Sequence, residues 1–139
     1  MSRKYIQNRI RDLGFTQRSV SMTIGVSEQS LSNFINESRS YSYRMYISLL
    51  MALALTVDNP IESIGKRPAT ALRETIREAI EARDMSIRKL AGHCKVNSTS
   101  LSSYLTGKRS ISVTALERVI DGLNLGFVSY GIPTVQSVK

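Results

Sequence analysis

Two short stretches of the chain, one in each half, place hydrogen-bonding side chains just inside a predicted helix start. In the first stretch Glu28 and Gln29 directly follow Ser27, and Ser32 and Asn33 come one helical turn later. The amides of Gln29 and Asn33 can pair with adenine through two hydrogen bonds, and the carboxylate of Glu28 can accept from a cytosine amino group. This helix is therefore predicted to distinguish bases. The alternative is that Glu28 and Gln29 only favour a helix N-terminus through its dipole.

The second stretch carries short hydroxyls where the first carries amides and a carboxylate. Hydroxyl groups both donate and accept, so they discriminate only weakly between bases. Lys108 and Arg109 follow this stretch and are better placed for phosphate contact. We expect the second stretch to bind more through charge than through base recognition, unless it is a helical packing domain with a solvated polar face. Its candidate base-contacting residues are Ser98, Thr99, Ser102 and Ser103.

Further candidate phosphate contacts lie at the start of the helix that precedes each stretch. Another lies just after the first stretch. Anions are favoured at helix N-termini, and neighbouring basic side chains add to that attraction. Taken singly, each arginine is more often an ordinary exposed side chain, and recurrence at equivalent places makes the two interpretations about equal. The candidate phosphate-contacting residues are Thr16, Gln17, Arg18, Arg39, Ser86, Arg88, Lys108 and Arg109.

Helices must position these residues, and the chain aligns with itself without gaps when Val20 is placed on Leu90. In this register apolar positions fall on apolar positions, including Leu31 on Leu101 and Phe34 on Tyr104. The spacing predicts four helices in each of two units. Leu31 and Phe34 are expected to face the core of the first unit, and Leu101 and Tyr104 that of the second. In the first unit, the first predicted helix runs from near Arg3 to Leu13, and the second begins after the capping residue Thr16. The third begins after Ser27 and runs to about Asn36, and the fourth runs from Tyr43 to Leu55. In the second unit, the first predicted helix runs from near Ala71 to Arg83, and the second begins after the capping residue Ser86. The third begins after Asn97 and runs to about Thr106, and the fourth runs from Val113 to Leu123.

The connection between the second and third helices is short. Only Gly25 and Val26 lie between Ile24 and Ser27, and glycine tolerates the positive φ that such a turn often needs. Lys95 replaces this glycine in the second unit, at a cost of roughly 1 kcal/mol if its φ is positive. The spacing predicts a helix-turn-helix in each unit, with a less regular turn in the second.

A resemblance to the phage repressor/Cro-like helix-turn-helix family is carried by TQRSVSMTIGVSEQSLSNFINESRS and SIRKLAGHCKVNSTSLSSYLTGKRS. The matching residues are Thr16-Gln17, Gly25-Val26-Ser27 and Asn36 in the first copy, and Leu90-Ala91 and Gly107-Lys108-Arg109 in the second. The first copy departs from the family at Ser21, where alanine is commoner, and at Glu37, where glycine usually follows the third helix. The resemblance implies an all-α protein of two tandem domains with four to five helices each, whose third helix enters the major groove.

The composition favours a folded protein with a polyanionic partner. Of its 139 residues, 42% are hydrophobic and 22% are charged, as in ordinary globular proteins. The chain has 19 Lys plus Arg against 11 Asp plus Glu, a net charge of +8. The excess is +3 up to Lys66 and +5 beyond it, so both halves favour nucleic acid by counterion release, with an anionic membrane surface as the weaker alternative.

No catalytic, metal or cofactor site is predicted, and no small-molecule effector is indicated. One cysteine and one histidine cannot supply a disulfide framework or a typical zinc site. Cys94 is expected to be a small buried hydrophobe and His93 an exposed side chain. Tyr41, Tyr43 and Tyr46 are compatible with a base-stacking platform for single strands, but the apolar helix that begins at Tyr43 favours core packing.

The predicted domains are residues 1–64 and residues 65–139, the second carrying a tail. The joint from Val57 to Thr70 would span about 45 to 50 Å when extended, enough to place both domains on half-sites about 34 Å apart. Phe127 to Ile132 alternates weakly, which predicts either a strand that pairs with a partner chain or a disordered end. A homodimer is slightly favoured.

These features favour a transcriptional regulator of bacterial or phage type that binds specific double-stranded DNA, with repression as the expected outcome. The expected location is the cytoplasm, on the nucleoid when bound, because no export signal or membrane span is apparent. One alternative is a protein-interaction adaptor built from repressor-like helical domains. Another is a protein that binds RNA or single strands.

Overall fold

The computed structural model describes residues 2–36, 41–58 and 69–129, together with Pro133 and Val135. We call residues 2–58 the N-terminal unit and residues 69–129 the C-terminal unit. The N-terminal unit contains α1 (Ser2–Asp12), α2 (Gln17–Ile24), α3 (Glu28–Ile35), α4 (Tyr43–Ala52) and the strand β1 (Leu55–Asp58). The C-terminal unit contains a 3-10 turn (Ala69–Ala71), α5 (Leu72–Ala82), α6 (Ile87–Cys94), α7 (Ser98–Leu105), α8 (Val113–Gly122) and the strand β2 (Gly126–Ser129). The predicted all-α class and the C-terminal strand are confirmed.

Each helix of the N-terminal unit has a counterpart of the same length in the C-terminal unit, in the register in which the sequence repeats. The last three helices of each unit start behind a side-chain oxygen that accepts from a backbone N–H of the first turn, which satisfies one donor that the helix itself leaves unpaired. These capping residues are Thr16, Ser27, Ser42, Ser86, Asn97 and Ser112. Local capping chemistry therefore determines where the helices of both units begin.

Both tight turns have the same backbone conformation. Gly25 has φ 78° and ψ 31°, and Lys95 has φ 58° and ψ 44°. In each turn the next valine, Val26 or Val96, donates its N–H 3.0 Å to a carbonyl in the last turn of the preceding helix. The prediction of a less regular second turn was wrong, because the flanking helices hold Lys95 in the left-handed region despite its Cβ.

The third helices face the core as predicted. Leu31, Phe34, Leu101 and Tyr104 have no exposed surface, and burial of such a side chain contributes roughly 1.5 to 3 kcal/mol. A single cluster of buried side chains draws on both units. The third helices are thereby fixed by their inner faces, which leaves their outer faces available.

The chain after α4 differs from the prediction. The fourth helix was expected to reach Leu55 but ends at Ala52, and Ala54 adopts φ 54°. Leu55 then begins β1, so Val57, which was assigned to the joint, belongs to a strand. The reason is a long-range pairing, since β1 forms an antiparallel ladder with β2. The predicted tail strand thus pairs with the same chain and not with a partner chain.

The ladder pairs residues that correspond to each other in the two units. Val57 lies opposite Phe127, its own counterpart, and Thr56 lies opposite Val128, the counterpart of Asp58. An antiparallel pair has a local twofold axis midway between its partners. This register therefore relates the two strands by a twofold axis that passes between Val57 and Phe127.

On one side of this axis, a buried ion pair joins the two units. Arg3 donates from Nη2 to Glu117 Oε1 at 2.9 Å and from Nε to Oε2 at 3.1 Å. Its Nη1 donates 3.0 Å to the carbonyl of Phe34, and its guanidinium lies 4.3 Å from the centre of that ring. The side chains of Arg3 and Glu117 are only 8% and 15% exposed. The C-terminal end of α3 is thus connected to α8.

On the other side of the axis, two tyrosine hydroxyls make the corresponding connection between the units. Arg73 lies 4.8 Å from the ring of Tyr104 and donates to its carbonyl, as Arg3 does to Phe34. The hydroxyls of Tyr104 and Tyr43 are 2.9 Å apart. The C-terminal end of α7 is thus connected to α4, so the helices repeat the twofold relation of the strands. In the helices that it connects, α3 with α8 and α7 with α4, this arrangement resembles an isologous dimer interface.

Replacing Lys95 by glycine should raise the free energy of unfolding by about 1 kcal/mol, because glycine adopts a positive φ without strain. The reverse change, Gly25→Lys, should lower it by a similar amount. Urea unfolding followed by circular dichroism measures both. A Lys95→Gly variant no more stable than the native chain would contradict the strain attributed to this turn.

Alkaline pH should destabilise the fold through Tyr104. Burial, reinforced by the hydrogen bond with Tyr43, raises the pKa of Tyr104 far above its ordinary value of 10.0. A phenol whose pKa is raised by folding contributes stability below pH about 10, and this contribution is lost as the pH rises further, by at most about 1.4 kcal/mol per pH unit. Tyr104→Phe should flatten the pH dependence of the urea midpoint above pH about 10, whereas Tyr5→Phe, which alters an exposed phenol, should not. Equal slopes for native and Tyr104→Phe chains would refute this assignment.

Candidate nucleic-acid interface

The outer face of α3 carries the four residues predicted to contact bases in the N-terminal unit. Glu28 and Gln29 are exposed, and Ser32 and Asn33 are half-buried. Gln29 donates from Nε2 to Asn33 Oδ1 at 2.9 Å. The two amides therefore form a linked pair in which Gln29 keeps its carbonyl oxygen and one N–H for an outside partner. The structure brings all four side chains together on one helix face.

The predicted phosphate contacts of the N-terminal unit have different environments. The hydroxyl of Thr16 accepts from the N–H of Ser19 at 3.0 Å, and Ser19 in turn accepts from the N–H of Thr16. Thr16 is therefore engaged as a helix cap. Arg18 is exposed in the first turn of α2, beside half-buried Gln17. Arg39 lies outside the described residues.

The outer face of α7 forms one wall of a shallow depression. Ser98, Thr99, Ser102 and Ser103 line it together with Arg88 and Ile87 at the start of α6. Ser86 caps α6 by accepting from the N–H of Lys89 at 3.1 Å, so its hydroxyl is engaged like that of Thr16. The predicted hydroxyls and the predicted arginine thus share one surface, where a cation stands next to groups that donate and accept.

A positive φ at Gly107 (82°) ends α7 and exposes the basic pair that follows. The N–H groups of Lys108 and Arg109 both donate to the carbonyl of Ser103, at 2.9 and 3.3 Å. Their backbone is held by α7 while both side chains remain exposed. The pair therefore projects from the end of the same helix whose outer face carries the four hydroxyls.

Two further basic residues were missed by the sequence analysis. Lys95 and Arg118 border a second depression on the other flank of α7, together with Asn97, Ser100 and Ser112. Arg118 donates from Nη1 to the Lys95 carbonyl at 3.2 Å. The change from glycine to Lys95 signalled a difference in the turn, but no local pattern places Arg118 of α8 beside it.

Two of the tyrosines pack against Phe34, a buried residue of α3. Tyr41 stacks on Phe34 with ring centres 4.5 Å apart, and the buried Tyr46 meets the same ring edge-on at 6.0 Å. Burial raises the pKa of the Tyr41 phenol, and a hydrogen bond with Ser30 partly offsets this. Tyr43 packs against the core as well. The core interpretation of Tyr43 and Tyr46 is confirmed.

Cys94 and His93 lie as predicted, buried and exposed respectively. Burial, followed by the nearby charge of Asp121, raises the pKa of the Cys94 thiol. A raised thiol pKa disfavours the thiolate, which is the nucleophilic form.

Within residues 2–36, 41–58 and 69–129, His, Cys, Asp and Glu form no group of three or more that could hold a metal ion. None of the helices described above is both long and apolar enough to cross a membrane.

Comparison with known families bears on the C-terminal unit. Residues 71–126 match a family model described as "Helix-turn-helix domain". The match extends from the turn before α5 to the first residue of β2 and includes the tight turn at Lys95. No curated protein and no solved structure was found to match the chain. The match supports a helix-turn-helix family for residues 71–126, which contain α5 to α8.

Proposed function

We propose that this protein is a transcriptional regulator that binds specific sequences of double-stranded DNA, with repression as its outcome, and that both units contact DNA. The observation that carries the proposal is the exposed polar face of α3 and of α7, at corresponding places in the two units. In a helix-turn-helix the third helix enters the major groove with its N-terminal residues at the base edges. Gln29 and Asn33 on α3, and Thr99 on α7, occupy such positions.

The N-terminal unit is proposed as the main source of sequence preference. Gln29 has the donor and acceptor that adenine requires, and its hydrogen bond to Asn33 limits the rotamers it must give up on binding. Glu28 is the candidate for a cytosine amino group. A carboxylate near the phosphates is repelled unless it finds a donor, so Glu28 would also disfavour duplexes that lack cytosine at that place.

The C-terminal unit is proposed to bind mainly through the backbone of DNA. Arg88, Lys108 and Arg109 are exposed around α7, and Lys95 and Arg118 add two cations on its other flank. On the described part of α7 the outward side chains are neutral hydroxyls. Counterion release from phosphates supplies affinity without sequence preference, so this unit would anchor the chain while α3 selects the site.

Loss of the Gln29 amide should weaken binding to the preferred duplex by about 1 to 3 kcal/mol and leave binding to random duplex nearly unchanged. Duplexes selected from a random library supply the preferred sequence, and fluorescence anisotropy measures Kd. Gln7→Ala removes the same side chain from an exposed position on α1 and serves as the control. Equal losses on preferred and random duplexes would exclude Gln29 as a base-reading residue.

Arg109→Ala should weaken binding to every duplex to a similar extent and reduce the slope of log Kd against log salt by about 1. Arg77→Ala removes an equal charge from the exposed face of α5 and should change the slope less. A sequence-dependent loss for Arg109→Ala would instead make it a base-contacting residue.

The selection experiment also separates the other functions. Preference for single strands or RNA would replace the proposal, and absence of binding at low salt would favour a protein-interaction adaptor. The packing of Tyr43 and Tyr46 argues against a stacking platform, because Tyr46 is buried and the partly buried Tyr43 packs against the core. Light scattering after size-exclusion chromatography determines whether two chains associate, since a homodimer would read a longer site than a single chain.

A further inference from the structure

We infer that the Arg3–Glu117 ion pair and the Tyr43–Tyr104 hydroxyl pair are positioning contacts. They hold α3 and α7 in an inverted arrangement at one separation, so that the chain selects two unlike half-sites in inverted orientation with a fixed spacing. This inference rests on the proposed function and adds to it the geometry of the DNA site. None of these four residues was a candidate contact to double-stranded DNA.

The inverted arrangement follows from the ladder. Because Val57 pairs with Phe127, its counterpart, the twofold axis of the ladder is also the axis that exchanges the two units. A twofold rotation reverses directions perpendicular to its axis and preserves the component along it. When both third helices contact one duplex, they therefore run in opposite directions along it, which matches inverted half-sites and excludes direct repeats.

The ladder alone only weakly determines the distance between α3 and α7. It has four residue pairs in two strands, and two-stranded ribbons twist readily and are marginally stable by themselves. Contacts that lie off the axis resist such twisting. Arg3–Glu117 and Tyr43–Tyr104 are contacts of this kind. Arg3 is bonded to the C-terminal end of α3 and pairs with Glu117 on α8. Tyr104, near the C-terminal end of α7, pairs with Tyr43 on α4.

Both contacts act directly on the third helices. Arg3 is bonded at once to Glu117 and to the Phe34 carbonyl near the end of α3, so a shift of α8 is transmitted to α3. Tyr104 belongs to α7 itself. A displacement of one unit relative to the other therefore has to break a largely buried ion pair, a partly buried hydroxyl pair, or both.

A series of duplexes tests the inference on the native chain. Each extra base pair between half-sites moves one of them by about 3.4 Å and rotates it by about 35°. The selected duplex, altered by one or two base pairs at its centre, should bind at least about tenfold more weakly than the original. Reversal of one half-site should have a similar effect. A native chain that binds all separations equally, or prefers direct repeats, would overturn the inference while leaving the proposed function intact; selection of no duplex at all would instead defeat the proposed function.

The variant Tyr43→Phe/Glu117→Leu removes both contacts, because phenylalanine has no hydroxyl and leucine has no acceptor for Arg3. Its affinity for altered separations should come within a factor of about three of its affinity for the original. The control Tyr5→Phe/Glu74→Leu makes the same chemical changes at exposed positions and should keep the native profile. Circular dichroism verifies folding, and if the double variant unfolds, Tyr43→Phe and Glu117→Leu are measured singly. A folded variant, double or single, with the native spacing profile would show that these contacts do not position the helices.

Discussion

The pairing of β1 with β2 is the constraint on which the arrangement of the two units depends. A shift of one residue in a strand register turns every side chain to the opposite face, and here it would also move the twofold axis away from the Val57 and Phe127 pair. Thr56 and Val57, which are buried in the observed register, would then exchange faces. The register that buries these side chains is thus the same one that makes the two units equivalent, and packing maintains the symmetry.

Within this symmetric frame the two units differ where they would meet DNA. The corresponding positions are Gln29 and Thr99, Asn33 and Ser103, and Gly25 and Lys95. The inner faces do not differ in this way, since Leu31 and Leu101 are both buried and capping residues recur at the same places. Core packing and capping tolerate few residue types, whereas an outer face is free to change. Divergence at the outer face is what a division of labour between base recognition and phosphate binding requires.

Much of the fold could be predicted from the sequence because its causes are local. Caps such as Ser27 and Asn97, the short turn at Gly25 and the apolar spacing of Leu31 and Phe34 all act within a few residues, so the helices and the outer faces of α3 and α7 were located correctly. The strand β1 could not be predicted, because Leu55 continues an apolar helix pattern until its partner β2, at the far end of the other unit, is known. Arg3 and Glu117 were also missed, since neither residue signals across 114 positions that the other is its partner.

The covalent link explains why the two sides of the interface are chemically different. In a homodimer both sides of the twofold axis must carry the same residues, so a charge pair on one side appears on the other. Here Glu117 corresponds to Ile47, and Tyr43 corresponds to Val113, so one side carries an ion pair and the other a hydroxyl pair. Each half of the interface has been able to change alone. The link also makes the meeting of the two units intramolecular, which keeps their effective concentration high at any dilution of the protein. A pair of unlike third helices is therefore available at chain concentrations where two separate units would not associate.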